Sequence, residues 1–112
     1  MKRLLLFALA AVLVFPAGSH ARYPVGNLAG TVVDSHDHPV PDATVIIETS
    51  YGEHPHATHT DASGNFIFER YSPGQYDLRA SIYSIFTPWS RRVVIHVGRT
   101  THITMHLPAA VK

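Results

Sequence analysis

The sequence predicts an all-β protein, a seven-stranded antiparallel Greek-key β-sandwich preceded by an N-terminal signal peptide. Three observations predict it. Short runs of alternating apolar and polar residues recur at close spacing, turn residues punctuate them, and no stretch beyond residue 21 sustains a helical period over three turns. The run Thr58–Tyr76 fixes this most tightly, because two differently built turns flank one very short strand.

The signal peptide comes first. Met1-Lys2-Arg3 is a positive n-region, Leu4–Phe15 is unbroken and apolar, and Pro16–Ala21 ends in small residues that suit cleavage after Ala21. A retained anchor is the rival reading, but a 12-residue apolar run falls short of the ~18–20 needed to span a bilayer. No membrane span is expected after cleavage. Residues 22–27 then form a leader, residues 28–107 one β-sandwich domain, and residues 108–112 a frayed tail.

The strands follow in order. Asn27–Asp34 places Leu28, Gly30 and Val32 on one side. Ser35–Pro41 is a connection. Ala43–Thr49 turns Ala43, Val45 and Ile47 one way, and Tyr51–Pro55 is a polar loop. His56–Asp61 is the third strand, followed by Asp61-Ala62-Ser63-Gly64, a side-chain acceptor and a positive-φ glycine that suit a short hairpin with a glycine bulge. Asn65–Glu69 is the fourth. Ser72-Pro73-Gly74-Gln75 has the chemistry of a type II turn. Tyr76–Ser81 alternates Tyr76, Leu78 and Ala80 against Asp77, Arg79 and Ser81; Arg91–Val97 and Thr101–Leu107 complete the set around a Gly98-Arg99-Thr100 turn.

Composition narrows the chemistry. The chain has no cysteine, so disulfides, thiolate metal sites, iron–sulfur clusters and cysteine nucleophiles are all excluded. After cleavage 91 residues remain, with seven basic and eight acidic groups and a charge near −1. That balance gives no support to a nucleic-acid partner or a polybasic membrane surface. An exported domain without disulfides must draw its stability from an apolar core. The expected location is the periplasm or the outside of the cell.

Four motifs then occur in series: Gly30-Thr31-Val32, Pro39-Val40-Pro41-Asp42-Ala43-Thr44-Val45, Thr58-His59-Thr60-Asp61-Ala62-Ser63-Gly64-Asn65-Phe66-Ile67-Phe68, and Pro73-Gly74-Gln75-Tyr76-Asp77-Leu78. In order and spacing they resemble the carboxypeptidase regulatory-like domain, a module of the transthyretin-like (prealbumin-like) or carbohydrate-binding-like β-sandwich class. The resemblance implies a folding, docking or binding module without catalytic residues of its own. A related branch hydrolyses 5-hydroxyisourate and ends in Tyr-Arg-Gly-Ser, whereas this chain ends in Pro108-Ala109-Ala110-Val111-Lys112. That departure argues against a transthyretin-related hydrolase. The residues agree, since no glycine-flanked nucleophilic serine or general acid–base pair is discernible.

Two groups of residues are candidates for function. Ile82–Trp89 lies between strands and carries Tyr83, Phe86 and Trp89 where a loop is ordinarily polar. Exposed, these rings can bind a protein or carbohydrate ligand; alternatively Phe86 and Trp89 fold under as a lid on the open end of the sandwich. Histidine is the second anomaly. If Gly98-Arg99-Thr100 is a hairpin loop, His96 lies opposite His102 and His106 follows on the same face. His54, His56 and His59 cluster near a loop-to-strand junction. Cu²⁺ or Zn²⁺ is the one cofactor such imidazoles suggest. The plainer reading makes them outward polar positions on half-buried strands.

Overall fold

The alternating pattern assigns one face of each strand to the interior. In the computed structural model, which describes residues 24–111, eight strands follow one another: β1 (Gly26–Val33), β2 (Thr44–Thr49), β3 (His56–His59), β4 (Asn65–Tyr71), β5 (Gly74–Ile82), β6 (Ile85–Phe86), β7 (Ser90–Ile95) and β8 (Thr100–His106). Seven are the expected strands, within two residues at either end. The eighth, β6, lies inside the segment expected to be a loop. The signal peptide predicted for residues 1–21 lies outside the described residues. Among the described residues no helix is long and apolar enough to cross a membrane.

Two sheets form the layers. One has the order β4-β1-β8; the other runs β3-β2-β5, with β6 and β7 both paired to the far edge of β5. Between them Leu28, Val32, Val45, Ile47, Leu78 and Ile95 are almost wholly removed from water, and Phe66 and Phe68 stack edge-on at 5.9 Å. These are the inward positions that alternation assigns. Gly30 shares that inward face for a steric reason: a Cβ there would lie 2.5 Å from the Phe66 ring and 2.7 Å from the Ile103 carbonyl oxygen. Its place is needed by a neighbouring ring.

Several sequence expectations are corrected by how the strands pair. β1 and β8 run parallel, with Ala29 beside His102 and Val33 beside His106, so the sandwich is not purely antiparallel. β7 and β8 are not a hairpin either, since β7 pairs with β5 and β8 with β1. The residues between them cross from one sheet to the other, and aligned sheets pack about 10 Å apart. That crossing is held by the Gly98 N–H on the Val25 carbonyl (2.9 Å), the Asn27 N–H on the Arg99 carbonyl (2.9 Å) and the Thr101 hydroxyl on the Val94 carbonyl (2.7 Å).

The Asp61–Gly64 turn has the expected chemistry in a different setting. Asp61 Oδ1 accepts the N–H groups of Ser63 and Asn65, both at 2.9 Å, and Gly64 has φ +78°. Yet the strands it joins, β3 and β4, belong to different sheets. The turn is a corner. At Ser72–Gln75 the type II turn is replaced: Gly74 has φ +153°, far from the +80° such a turn needs, and already pairs with Ile95 as the start of β5. The Ser72 carbonyl instead accepts the Tyr76 hydroxyl at 2.6 Å.

The tail expected to fray is pinned as far as Val111. The Ser35 N–H reaches the Ala109 carbonyl (3.3 Å), and the Val111 N–H reaches Asp34 Oδ2 (3.4 Å). Asp34 is buried and also accepts the N–H groups of His36 and His38, at 2.8 and 3.0 Å. The His38 N–H above all, with those of His36 and Val111 and the nearby His38 ring, holds the Asp34 carboxyl below its ordinary 3.8, against the opposing effect of burial. A depressed carboxyl contributes stability that is present above the unfolded pKa and lost as pH falls through the folded value. Urea titrations should therefore show wild-type stability declining below about pH 4, and Asp34→Asn should be less stable at neutral pH with a shallower acid loss.

Candidate functional site

The segment Ile82–Trp89 is shaped by three local devices. Ile82 pairs with Ile85, so Tyr83 and Ser84 are the two residues of a hairpin tip, with φ of +49° and +65°. Two positive φ values in a two-residue loop make a type I′ turn, whose twist suits a hairpin. Neither residue is glycine, so the conformation costs about 1–2 kcal/mol at each. Beyond the tip, Thr87 locks the chain to β5: its N–H reaches the Ala80 carbonyl at 2.9 Å and its Oγ1 accepts the Ala80 N–H at 3.0 Å.

The third device is a bulge between β5 and β7. Tyr76 pairs with Val93 and Leu78 with Ser90, so Arg91 and Arg92 together face Asp77 alone. Arg92 has φ +54°, and its N–H is taken by Asp77 Oδ1 at 2.9 Å. Asp77, only 3% exposed, also accepts the Ser50 hydroxyl (3.2 Å) and the Arg91 guanidinium (3.1 Å). A buried carboxylate thus holds the Arg91 guanidinium while most of that side chain stays in water.

On the outer face of the five-stranded sheet these devices assemble a compact group. The Arg79 guanidinium carbon lies 4.6 Å from the centre of the Phe86 ring and 4.8 Å from that of Trp89, and Arg91 approaches Trp89 at 6.0 Å. Such contacts contribute about 0.5–1 kcal/mol each at exposed sites. Among the described residues no carboxylate lies within ion-pair distance of Arg79. Its charge is held by two aromatic faces.

The expected ligand residues therefore separate. Phe86 (47% exposed) and half-buried Trp89 meet about Arg79. Tyr83, at 75% exposure, stands at the hairpin tip and shares a cavity of about 210 Å³ with Asp34, His38 and Val111. The lid alternative is corrected, because neither Phe86 nor Trp89 belongs to the core cluster or packs against it. Arg79 and Arg91 escaped the sequence reading: Arg79 is visible as an outward position, but nothing in the sequence says which rings flank it.

The histidines are scattered. The hairpin that would set His96 against His102 does not form, since β7, which ends just before His96, and β8, which carries His102, lie in different sheets. His102 lines a shallow cavity of about 420 Å³ with Ala29, Thr31, Asn65 and Thr104, and His106 Nε2 lies 3.7 Å from Asp37 Oδ1. His56 meets Tyr71 edge-on at 6.1 Å, and His59 pairs with Thr44 at the outer edge of the sheet. Among the described residues no three histidine or carboxylate side chains are grouped to hold a metal ion.

The fold is that of a small two-layer β-sandwich module. The chain belongs to the carboxypeptidase regulatory-like domain family, whose model matches residues 27–108. No curated protein matches it in sequence. Its fold is similar to that of the major pilin subunit BcpA of Bacillus cereus (TM-score 0.60, 12% identity), covering 76% of this chain and 30% of that one. It is also similar to the TIE protein of Bacillus anthracis (TM-score 0.56, 12% identity), covering 75% of this chain and 17% of that one. The chain thus spans less than a third of either protein's length.

Proposed function

We propose that the chain is an exported, non-enzymatic module for binding or scaffolding, and that its working surface is the outer face of the five-stranded sheet around Phe86, Arg79 and Trp89. The observation that carries this reading is Arg79, a guanidinium held between two rings with no carboxylate partner among the described residues. An isolated surface arginine would simply be solvated; here stacking keeps its hydrogen-bond donors in a fixed plane, the geometry that suits bidentate capture of a carboxylate. The partner that fits is a protein or a carbohydrate presenting an acidic group to a flat face. Membership of the regulatory-like family supports a non-catalytic role, and the n-region and apolar run of residues 1–21 support export.

Arrays of glycans and of peptides offer the direct test. Purified protein should retain a set of acidic ligands that Arg79→Ala and Phe86→Ala both bind at least about tenfold more weakly, a change of about 1.4 kcal/mol. Both variants should keep the fold, because each side chain lies outside the core cluster. Ligands retained equally by both variants would move the working surface elsewhere.

A further inference from the structure

A second concavity lies at the opposite end of β5 from the Tyr83 hairpin. There the β2–β3 loop approaches the β4–β5 connection, and two adjoining cavities of about 370 and 270 Å³ meet at Thr49 and Tyr76. The larger falls within the ~300–1,000 Å³ of small-molecule sites. The walls of the smaller are fixed before any ligand arrives: the Gly52 N–H is bonded to the Thr49 carbonyl (2.7 Å), the Thr49 N–H to the Glu53 carbonyl (2.9 Å) and the Ser50 N–H to the Gln75 carbonyl (3.1 Å). Thr49 Oγ1 accepts the Glu53 N–H at 3.0 Å.

The lining combines rings with uncommitted polar groups. Tyr71 stands edge-on to Tyr76 at 5.8 Å and to His56 at 6.1 Å. The Tyr76 hydroxyl is committed to the Ser72 carbonyl, whereas the Tyr71 hydroxyl has no protein partner among the described residues, and burial raises its pKa, which keeps it a neutral donor. At the rim Tyr51 is 90% exposed, a large ring held out into water by a hydrogen-bonded loop. Among the described residues no arginine or lysine lines either cavity, and Glu53 stands at the rim.

We propose that this cleft is a second binding site, independent of the Arg79 face, and that its ligand is a neutral sugar ring. The apolar C–H face of a pyranose stacks on a tyrosine ring, its hydroxyls pair with the Tyr71 hydroxyl, His54, His56 and Thr49, and Glu53, with no facing arginine or lysine among the described residues, disfavours an anionic ligand.

Neutral cello-, xylo- and chito-oligosaccharides are the probes, titrated into purified protein and followed by amide chemical shifts. At least one should give saturable shifts confined to residues 49–56 and 71–76. Tyr71→Phe, which keeps the ring and removes the hydroxyl, should weaken that binding about tenfold, and Tyr51→Ala should weaken it too. Arg79→Ala should leave it unchanged, so this site stands or falls separately from the Arg79 face. The proposal is overturned by no saturable shift with any of these sugars, by shifts centred elsewhere, by affinity indifferent to both tyrosine variants, or by tighter binding of a uronic-acid oligosaccharide to the same residues.

Discussion

Thr60→Val should lower the stability of the domain by about 2–4 kcal/mol, although valine keeps nearly the same volume. Thr60 is 5% exposed. Its Oγ1 accepts the Ala43 N–H at 2.8 Å while its hydroxyl proton goes to the Val40 carbonyl at 2.7 Å. One hydroxyl therefore ties the end of β3 to both sides of the turn that leads into β2. Valine leaves a buried donor and a buried acceptor without partners, each at a cost of about 1–3 kcal/mol. In a domain of this size that is a fall in Tm of roughly 10–25 °C. Thermal unfolding followed by circular dichroism measures it, with Thr60→Ser, which keeps the hydroxyl, as the control that should fall by only a few degrees. A loss of only a few degrees in Thr60→Val would contradict the role given to the two hydrogen bonds, and an equal loss in Thr60→Ser would mean that the methyl group contributes as much as they do.

Gly30→Val should be at least as damaging, through space and not backbone conformation. A single Cβ already lies 2.5 Å from the Phe66 ring and 2.7 Å from the Ile103 carbonyl oxygen, and two further methyl groups enter the same contact. Phe66 is only 5% exposed and stacks on Phe68, so it has little room to retreat. Ile103 is the backbone partner of Gly30 across the parallel ladder. Overpacking of this kind costs about 1–3 kcal/mol for one added group, which places Gly30→Ala in that range and Gly30→Val above it. Urea unfolding of both variants should rank them in that order. Ala29→Val, on the outward side of the same strand, should change stability by less than about 1 kcal/mol.

These two residues also mark what the sequence reveals and what it conceals. Strand positions and inward faces were legible because alternation reports which side of a strand is buried, and Leu28, Val32, Val45, Ile47 and Leu78 all fall inside as assigned. Alternation does not report which sheet a strand joins. The Asp61–Gly64 and His96–Arg99 connections each carry turn residues that suit a hairpin, yet each crosses between layers, and the His96–His102 pairing fell with the second. The motif glycine at position 30 and the motif threonine at position 60 were visible as a pattern, but the ring above one and the paired hydrogen bonds of the other exist only in three dimensions. The candidate surface divides in the same way. Phe86 and Trp89 stood out as aromatic residues in a supposed loop, whereas Arg79 joins them because β6 and the β5–β7 bulge bring both rings beside it.

Trp89 is the sole tryptophan of the chain, so its fluorescence reports the proposed surface without ambiguity. Quenching by iodide against quenching by caesium tests the account most directly. A half-buried indole flanked by the guanidinium groups of Arg79 and Arg91 should be quenched more efficiently by the anion than by the cation. Arg79→Ala should reduce the difference, and an acidic ligand retained on the arrays should protect the indole. Emission that is blue-shifted and indifferent to both quenchers would place Trp89 inside the sandwich and contradict the exposed face on which the function rests.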